Sequence, residues 1–429
     1  MTLTLDQRPE QTELASPVSP ALRYQLQAET PAGRQLVAIA ESLAEDLAAR
    51  AAEHDRDASY PFEAIGRLKS LGYFGAQVPT ELGGLGVSSV RDTLIASSRM
   101  ARGDASVVIG VNMHLAITGN LVRRYQMAVA TGNERRAAAF AGALEMITRS
   151  GVVIAAAVSE PGQDLLRPST RAERTPEGWV INGRKIFATM SPAADLLFVA
   201  VTAGQEDGSE TYTYARIPTS TPGIVFHDDW DALGMRASGS QSLSFENVRV
   251  AAEMVRGGFP VGDPAGYLEA NLTAGAFHAS ASLGIAEGAH HLATSTLATR
   301  RKNGSEPPVN LMLTSQNAND IAAMRGIFDR AGRIIDSYYA AHPVDDGTPE
   351  ELAAAFAEVQ SAKAFINEAS VRVVDRALTL SGGAGFTNKH PLSRHYRDVR
   401  AGAFMHPLGA NRAPEFIGQV AAGLEPTLR

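Results

Sequence analysis

The period of the apolar positions changes twice along the chain. From about Pro31 to Gly151 they recur at three- to four-residue spacing, as at Leu36, Ile39, Leu43 and Leu47, which gathers side chains on one helical face. From Val152 to about Val250, short runs rich in Val, Ile, Thr, Phe and Tyr take over, the composition of strands. Two breaks punctuate them: Thr-Pro-Glu-Gly at Thr175–Gly178, and Asn182–Gly183, a pair that favours a two-residue hairpin because both positions accept positive φ. A Gly/Pro-rich joint, Gly257–Tyr267, returns the chain to helical spacing. An Ala-rich segment then runs to Lys302, others start at about Thr314 and Thr348, and a glycine loop, Ser381–Phe386, precedes the last helices.

The expected fold class is α+β. A mobile tail (1–30) leads into an N-terminal α-helical domain (31–151), a central antiparallel β-barrel or sandwich (152–256) and a C-terminal helical bundle (257–429). The 429 residues, 45% hydrophobic and 20% charged, suffice for two or three domains around a large core. A formal charge of −7 argues against nucleic acid as a partner, and the basic clusters Arg123–Arg124, Arg135–Arg136 and Arg300–Lys302 are short enough to be solvated helix faces. The absence of cysteine removes disulfides, zinc–thiolate sites and thiol nucleophiles. No apolar run approaches the roughly 18–20 residues of a membrane span, and the first residues lack a basic-then-apolar leader, so a cytoplasmic protein without a membrane partner is expected.

General catalytic motifs are missing. Gly83–Gly86 and Ser381–Phe386 are glycine-rich, yet neither follows a strand and opens a helix as a dinucleotide or phosphate loop would. No HExxH exists, and the adjacent His290 and His291 project to different faces of a helix, so no metal site is expected. No GxSxG elbow supports a hydrolase.

Five segments, in order, carry a resemblance. They are Tyr60–Phe62 with Gly72–Ser88, then AAAVSEPGQD (Ala155–Asp164), WVINGRKIFAT (Trp179–Thr189), LGMRASGSQSLSFENVRV (Leu233–Val250) and SGGAGFTNKHPLSRHYRDVRAG (Ser381–Gly402). Together they resemble the acyl-CoA dehydrogenase superfamily from about Pro31 to the C-terminus. The resemblance implies a flavin, FAD or FMN, oxidised or reduced, between the β domain and the C-terminal bundle. It implies that Val158 and Ser159 bond the pyrimidine side of the ring and that Phe187 and Thr189 flank N5. It also implies that Arg300 and the glycines Gly382, Gly383 and Gly385 meet the phosphates of a neighbouring subunit's cofactor, hence a homodimer or homotetramer. Taken singly, Phe187 reads as core, the glycines as a helix cap and Arg300 as a solvated charge.

The chain departs from the dehydrogenase pattern where that chemistry needs a carboxylate. Nine residues after Arg397, at the position of the usual Glu, stands His406, followed by Pro407. The alternative location falls near Ala274, beside Gly275. Leu408, Ala410 and Thr379 replace family flavin contacts, and Glu160–Asp164 is shortened, which implies looser holding of FAD. A subgroup of the superfamily lacks the Glu, places histidines near the ring and uses reduced flavin with oxygen. The pattern here is closest to that monooxygenase-like subgroup, with His406 and His114 as catalytic residues and His278 behind them. His406–Pro407 also reads as a helix end, and His114 as a packed helix residue. Three functions stay open. One is a flavin-dependent monooxygenase acting on a small molecule and supplied by a separate flavin reductase. The second is an acyl-thioester dehydrogenase using His406 or Glu415. The third is a non-catalytic flavin- or acyl-binding relative.

Overall fold

The computed structural model describes residues 24–162, 164–301 and 307–428; most of the expected tail and Lys302 lie outside them. The described end of the tail is tied down. The Glu29 and Thr30 backbone N–H groups donate to the Asp92 carboxylate at 3.0 and 2.8 Å. The hydroxyl of Thr30 then accepts from Gly33 N–H and starts helix α1 (Pro31–Asp57), with Pro31 at its first position. Leu36, Ala40, Leu43 and Leu47 bury the expected face. Helices α2 (Phe62–Ser70), α3 (Val90–Met100), α4 (Ala105–Ala130) and α5 (Glu134–Arg149) complete this region. By length and composition α4 could cross a bilayer, contrary to the sequence expectation, but 72% of its apolar window is buried inside the protein. It is the central core helix.

The middle of the chain forms β1 (Ile154–Ala157), β2 (Arg171–Thr175), β3 (Gly178–Lys185), β4 (Leu196–Gly204), β5 (Glu210–Pro218), β6 (Ile224–Phe226), β7 (Leu243–Val250) and β8 (Phe259–Pro260). They make one sheet in the order β6-β7-β3-β2-β4-β5-β8, with β1 also on β4. Both β1 and β2 run parallel to β4, so the sheet is mixed and not purely antiparallel as expected. Thr175–Gly178 does turn the chain between β2 and β3. Asn182–Gly183 does not: it lies inside β3, at a register shift against β7. There Gly183 has φ 153°, and a Cβ would sit 2.5 Å from Thr170 Oγ1, so glycine serves close strand packing.

Beyond α6 (Pro264–Asn271), the long helices α7 (Ala274–Arg301), α8 (Pro308–Ala341) and α9 (Pro349–Ser381) pack together. Helix α8 starts before Thr314 because Pro308 sits at its first turn; α9 starts where Thr348 and Glu351 form a reciprocal capping box. Two short helices, α10 (Pro391–Asp398) and α11 (Ala413–Ala421), close the chain.

Helix α10 rivets the three regions together. Arg394 donates to Gly103 O at 2.9 Å, Arg397 pairs with Asp55 of α1, and Asp398 accepts from Met235 N–H at 2.6 Å. Burial pushes the Asp398 carboxyl up to about 7, against the pull of Arg394.

Candidate active site

Where the three regions meet there is a cavity of about 310 Å³. One wall is β-sheet and loop: Val158 and Ser159 follow β1, Phe187 and Thr189 follow β3, and Trp230 stands beside them. The opposite wall is helical: Ile109 and Met113 from α4, His278 from α7, and Met405 and His406 from the segment after α10.

The β wall presents aromatic and hydroxyl side chains to the cavity. Phe187 holds φ 55°, a costly conformation for a bulky side chain, and remains 56% exposed at the cavity. Its ring meets Trp230 edge-on at 5.9 Å, and Trp230 is fixed by donating Nε1–H to Met235 O. Thr189 Oγ1 bonds Ser240 Oγ at 2.9 Å, while Ser159 Oγ has no hydrogen bond among the described residues. A cavity of this size, apolar with a few polar atoms, fits a fused ring system such as the flavin head; a whole dinucleotide would extend outside it.

The segment carrying Val158 and Ser159 is locked from behind. Lys185 Nζ donates to Val158 O at 3.3 Å and to Glu160 Oε1 at 2.6 Å, while Ile186 N–H donates to Ser159 O at 2.9 Å. Glu160 further accepts from the backbone N–H and hydroxyl of both Ser169 and Thr170. Burial alone would raise the Glu160 carboxyl, but Lys185 and these hydrogen bonds outweigh it and hold it at about 2.

The two histidines named as catalytic part company. His114 is fully buried and does not border the cavity. Its Nδ1 accepts from Ile154 N–H at 3.0 Å, which leaves the proton on Nε2 to be donated to Phe74 O at 3.1 Å. Burial pushes its pKa down to about 4. His114 fastens α4 to β1 and lies outside the cavity where its expected catalytic role would place it. His114→Leu should cost about 1–3 kcal/mol for each backbone group left unpaired, with turnover per folded molecule unchanged. Denaturant unfolding beside an activity assay checks this; lost turnover at intact stability would restore the catalytic role.

His406 does border the cavity. Asn271 fixes its tautomer: Asn271 Nδ2 donates to Tyr267 O, so Oδ1 is the atom that faces His406 Nε2 at 2.7 Å. Nε2 therefore carries the proton and Nδ1 is a bare acceptor. Burial first, then the nearby Lys363 charge, pushes its pKa down to about 3, so the ring is neutral around pH 7. The Lys363 ammonium is buried behind it and donates to three carbonyls of the same turn, those of Met405, His406 and Leu408. Neither Asn271 nor Lys363 stood out in the sequence, because nothing in a lone Asn or Lys marks it as second to a histidine over 40 residues away.

The remaining named positions lie elsewhere. Gly382, at φ 65°, Gly383 and Gly385 form a turn at the end of α9, and none of them borders the cavity. Arg300 lies in the last turn of α7, and its side chain lies outside the described residues. Glu415 is exposed on α11 and Ala274 heads α7. Among the described residues no carboxylate borders the cavity; its ionisable groups are His278, His406, Arg397 and Arg400.

A largely apolar cavity between a β domain and a helical bundle, with imidazoles on the helical side, is compatible with a flavoprotein oxidoreductase site. Profiles of the acyl-CoA dehydrogenase N-terminal, middle and C-terminal domains match residues 31–127, 155–248 and 276–407. The chain belongs to the acyl-CoA dehydrogenase family. It is 33% identical over 406 residues to the L-evernosamine nitrososynthase of a Micromonospora species, covering 92% of each chain. With the amino sugar nitrososynthase DnmZ of Streptomyces peucetius it shares 32% over 405 residues, covering 92% of this chain and 95% of the relative. KijD3, solved with FMN and dTDP-3-amino-2,3,6-trideoxy-4-keto-3-methyl-D-glucose and also with dTDP, superposes with a TM-score of 0.85 at 29% identity in the former complex, covering 94% of this chain and 96% of that one. The protein is thus a flavin-dependent oxidoreductase of the monooxygenase-like branch of its family.

Proposed function

We propose that the protein oxidises the amine of a nucleotide-linked amino sugar with reduced flavin and dioxygen. The observation that carries this reading is the cavity itself: among the described residues it offers neutral imidazole and no carboxylate. Removing a proton from carbon next to a thioester needs a stronger base than neutral imidazole, or strong oxyanion stabilisation; an amine needs only to keep its lone pair free. Similarity to two amino sugar nitrososynthases supplies the substrate class.

When bound, reduced flavin supplies two electrons to dioxygen, of which one oxygen atom reaches the substrate and the other leaves as water. A primary amine becomes a hydroxylamine in one such round. A second round, with a second dioxygen and two further electrons, gives the nitroso group and two waters. In this reading Val158, Ser159, Phe187 and Thr189 hold the ring, and His406 offers its Nδ1 acceptor from the opposite wall. Arg300 and the Gly382–Gly385 turn serve the cofactor of a second subunit in a homodimer or homotetramer. Exposed Phe386 (83%), Leu311 (57%) and Met312 (53%) support that association. A separate reductase supplies reduced flavin, and the enzyme is cytoplasmic.

The test combines purified protein, a flavin reductase with NADH and FMN or FAD, air and a dTDP-linked amino sugar. Hydroxylamino and nitroso sugars are expected by mass spectrometry, only with oxygen present. Desaturation of an acyl-CoA under nitrogen, with the amino sugar untouched, would overturn the proposal.

A further inference from the structure

Among the described residues that border the cavity, His278 is a buried polar group that the fold leaves unserved. It sits on α7, one turn beyond Ala274, is 5% exposed and borders the cavity on the same wall as His406. Neither of its ring nitrogens has a hydrogen-bond partner among the described residues. The contrast with buried His114 is direct, since both of its nitrogens are used. His406 has Nε2 committed to Asn271. A buried polar group without a partner costs about 1–3 kcal/mol, and this one faces a cavity whose helical side carries the apolar Ile109, Met113, Ala401, Phe404 and Met405 together with His406, Arg397 and Arg400.

We infer that His278 is the hydrogen-bonding contact for the substrate's amine, accepting a hydrogen bond from its N–H and so selecting a donor-bearing position over an alkyl one. Burial, Lys363 and His406 all push this imidazole well below its usual pKa, so it stays neutral and offers one bare nitrogen. Partial burial and the neighbouring Arg397 and Arg400 cations disfavour the ammonium form, so the uncharged amine, whose lone pair oxidation requires, is the form this acceptor meets. The contact positions the nitrogen between the helical wall and the ring wall without taking its proton.

The inference rests on the amino-sugar reading, and two ligands separate the two. Calorimetric titration compares dTDP with dTDP-3-amino-2,3,6-trideoxy-4-keto-3-methyl-D-glucose on wild type, His278→Leu and His278→Gln. His278→Leu should weaken the amino sugar nucleotide about tenfold while leaving dTDP unchanged, and His278→Gln should recover part of the loss. The thermal midpoint of ligand-free His278→Leu should stay level or rise, because an unpaired polar group has been replaced by an apolar one. Equal binding of the amino sugar by wild type and His278→Leu overturns the role of His278 alone. So does a lowered midpoint with both ligands weakened alike, which marks His278 as structural. Wild type that binds neither ligand overturns the amino-sugar reading and the inference with it.

Discussion

His406→Ala should lower productive amine oxidation by about 10²–10⁴-fold, the range in which a positioned acid–base or hydrogen-bonding group acts. Oxygen consumption should fall far less, so that the reduced flavin's electrons go to peroxide and not to product. The substitution also strands Asn271 Oδ1, whose partner is His406 Nε2, so a stability loss of about 1–3 kcal/mol is expected alongside. Asn271→Asp separates the two effects. A carboxylate in place of the amide favours imidazolium and raises the His406 pKa from about 3. Wild type should show no acid limb from His406 at working pH, since the ring loses its bare nitrogen only as pH falls through about 3. The Asp variant should acquire an acid limb at higher pH, with product coupling lost as pH falls through the new pKa. Equal coupling in His406→Ala and wild type, or an unchanged profile for Asn271→Asp, would show that His406 only shapes the turn.

How much of this was legible depended on whether the signal was local. The α-β-α order came from period alone, because Leu36, Leu43 and Leu47 bury one face of α1 whatever else surrounds them. Part of the cavity lining was legible through resemblance: Val158, Ser159, Phe187, Thr189 and His406 border one cavity. Asn182–Gly183 misled because its turn preference is a local bias of at most about 1 kcal/mol, whereas pairing with β7 across Asn247 is tertiary. His114 misled for a related reason: its neighbours Asn112 and Thr118 reveal nothing of Phe74 and Ile154, which claim both its nitrogens. The services to His406 from Asn271 and Lys363, and the empty coordination of His278, exist only once α6, α7, α9 and the turn after α10 are assembled.

The largest effect on stability is expected at a residue that never touches the cavity. Glu160→Gln removes the charge that balances Lys185, in a pair whose side chains are 1% and 0% exposed. Breaking a buried pair by neutralising one member leaves the other charge in low dielectric, which costs about 3–5 kcal/mol. Gln also turns an amide N–H₂ toward donors, although Glu160 accepts from Lys185, Ser169 and Thr170. Val158 O shares Lys185 with Glu160, so the ring wall should loosen and flavin affinity fall with stability. The pH dependence carries the same signature. Glu160 is depressed from 4.5 to about 2, so its stabilisation is present above pH 4.5 and is lost as pH falls through about 2. Glu287, also held at about 2 by Arg102, Arg325 and Arg99 against its own burial, contributes in the same window, so Glu160→Gln should flatten the acid limb of stability without abolishing it. Urea unfolding from pH 7 down to pH 3, with flavin titration by fluorescence, reads both effects. The double variant Glu160→Gln/Lys185→Met removes the stranded charge and should recover part of the loss. A single variant within about 0.5 kcal/mol of wild type, or a double variant worse than the sum of its parts, would mean that the pair does not hold the Val158–Ser159 segment in place.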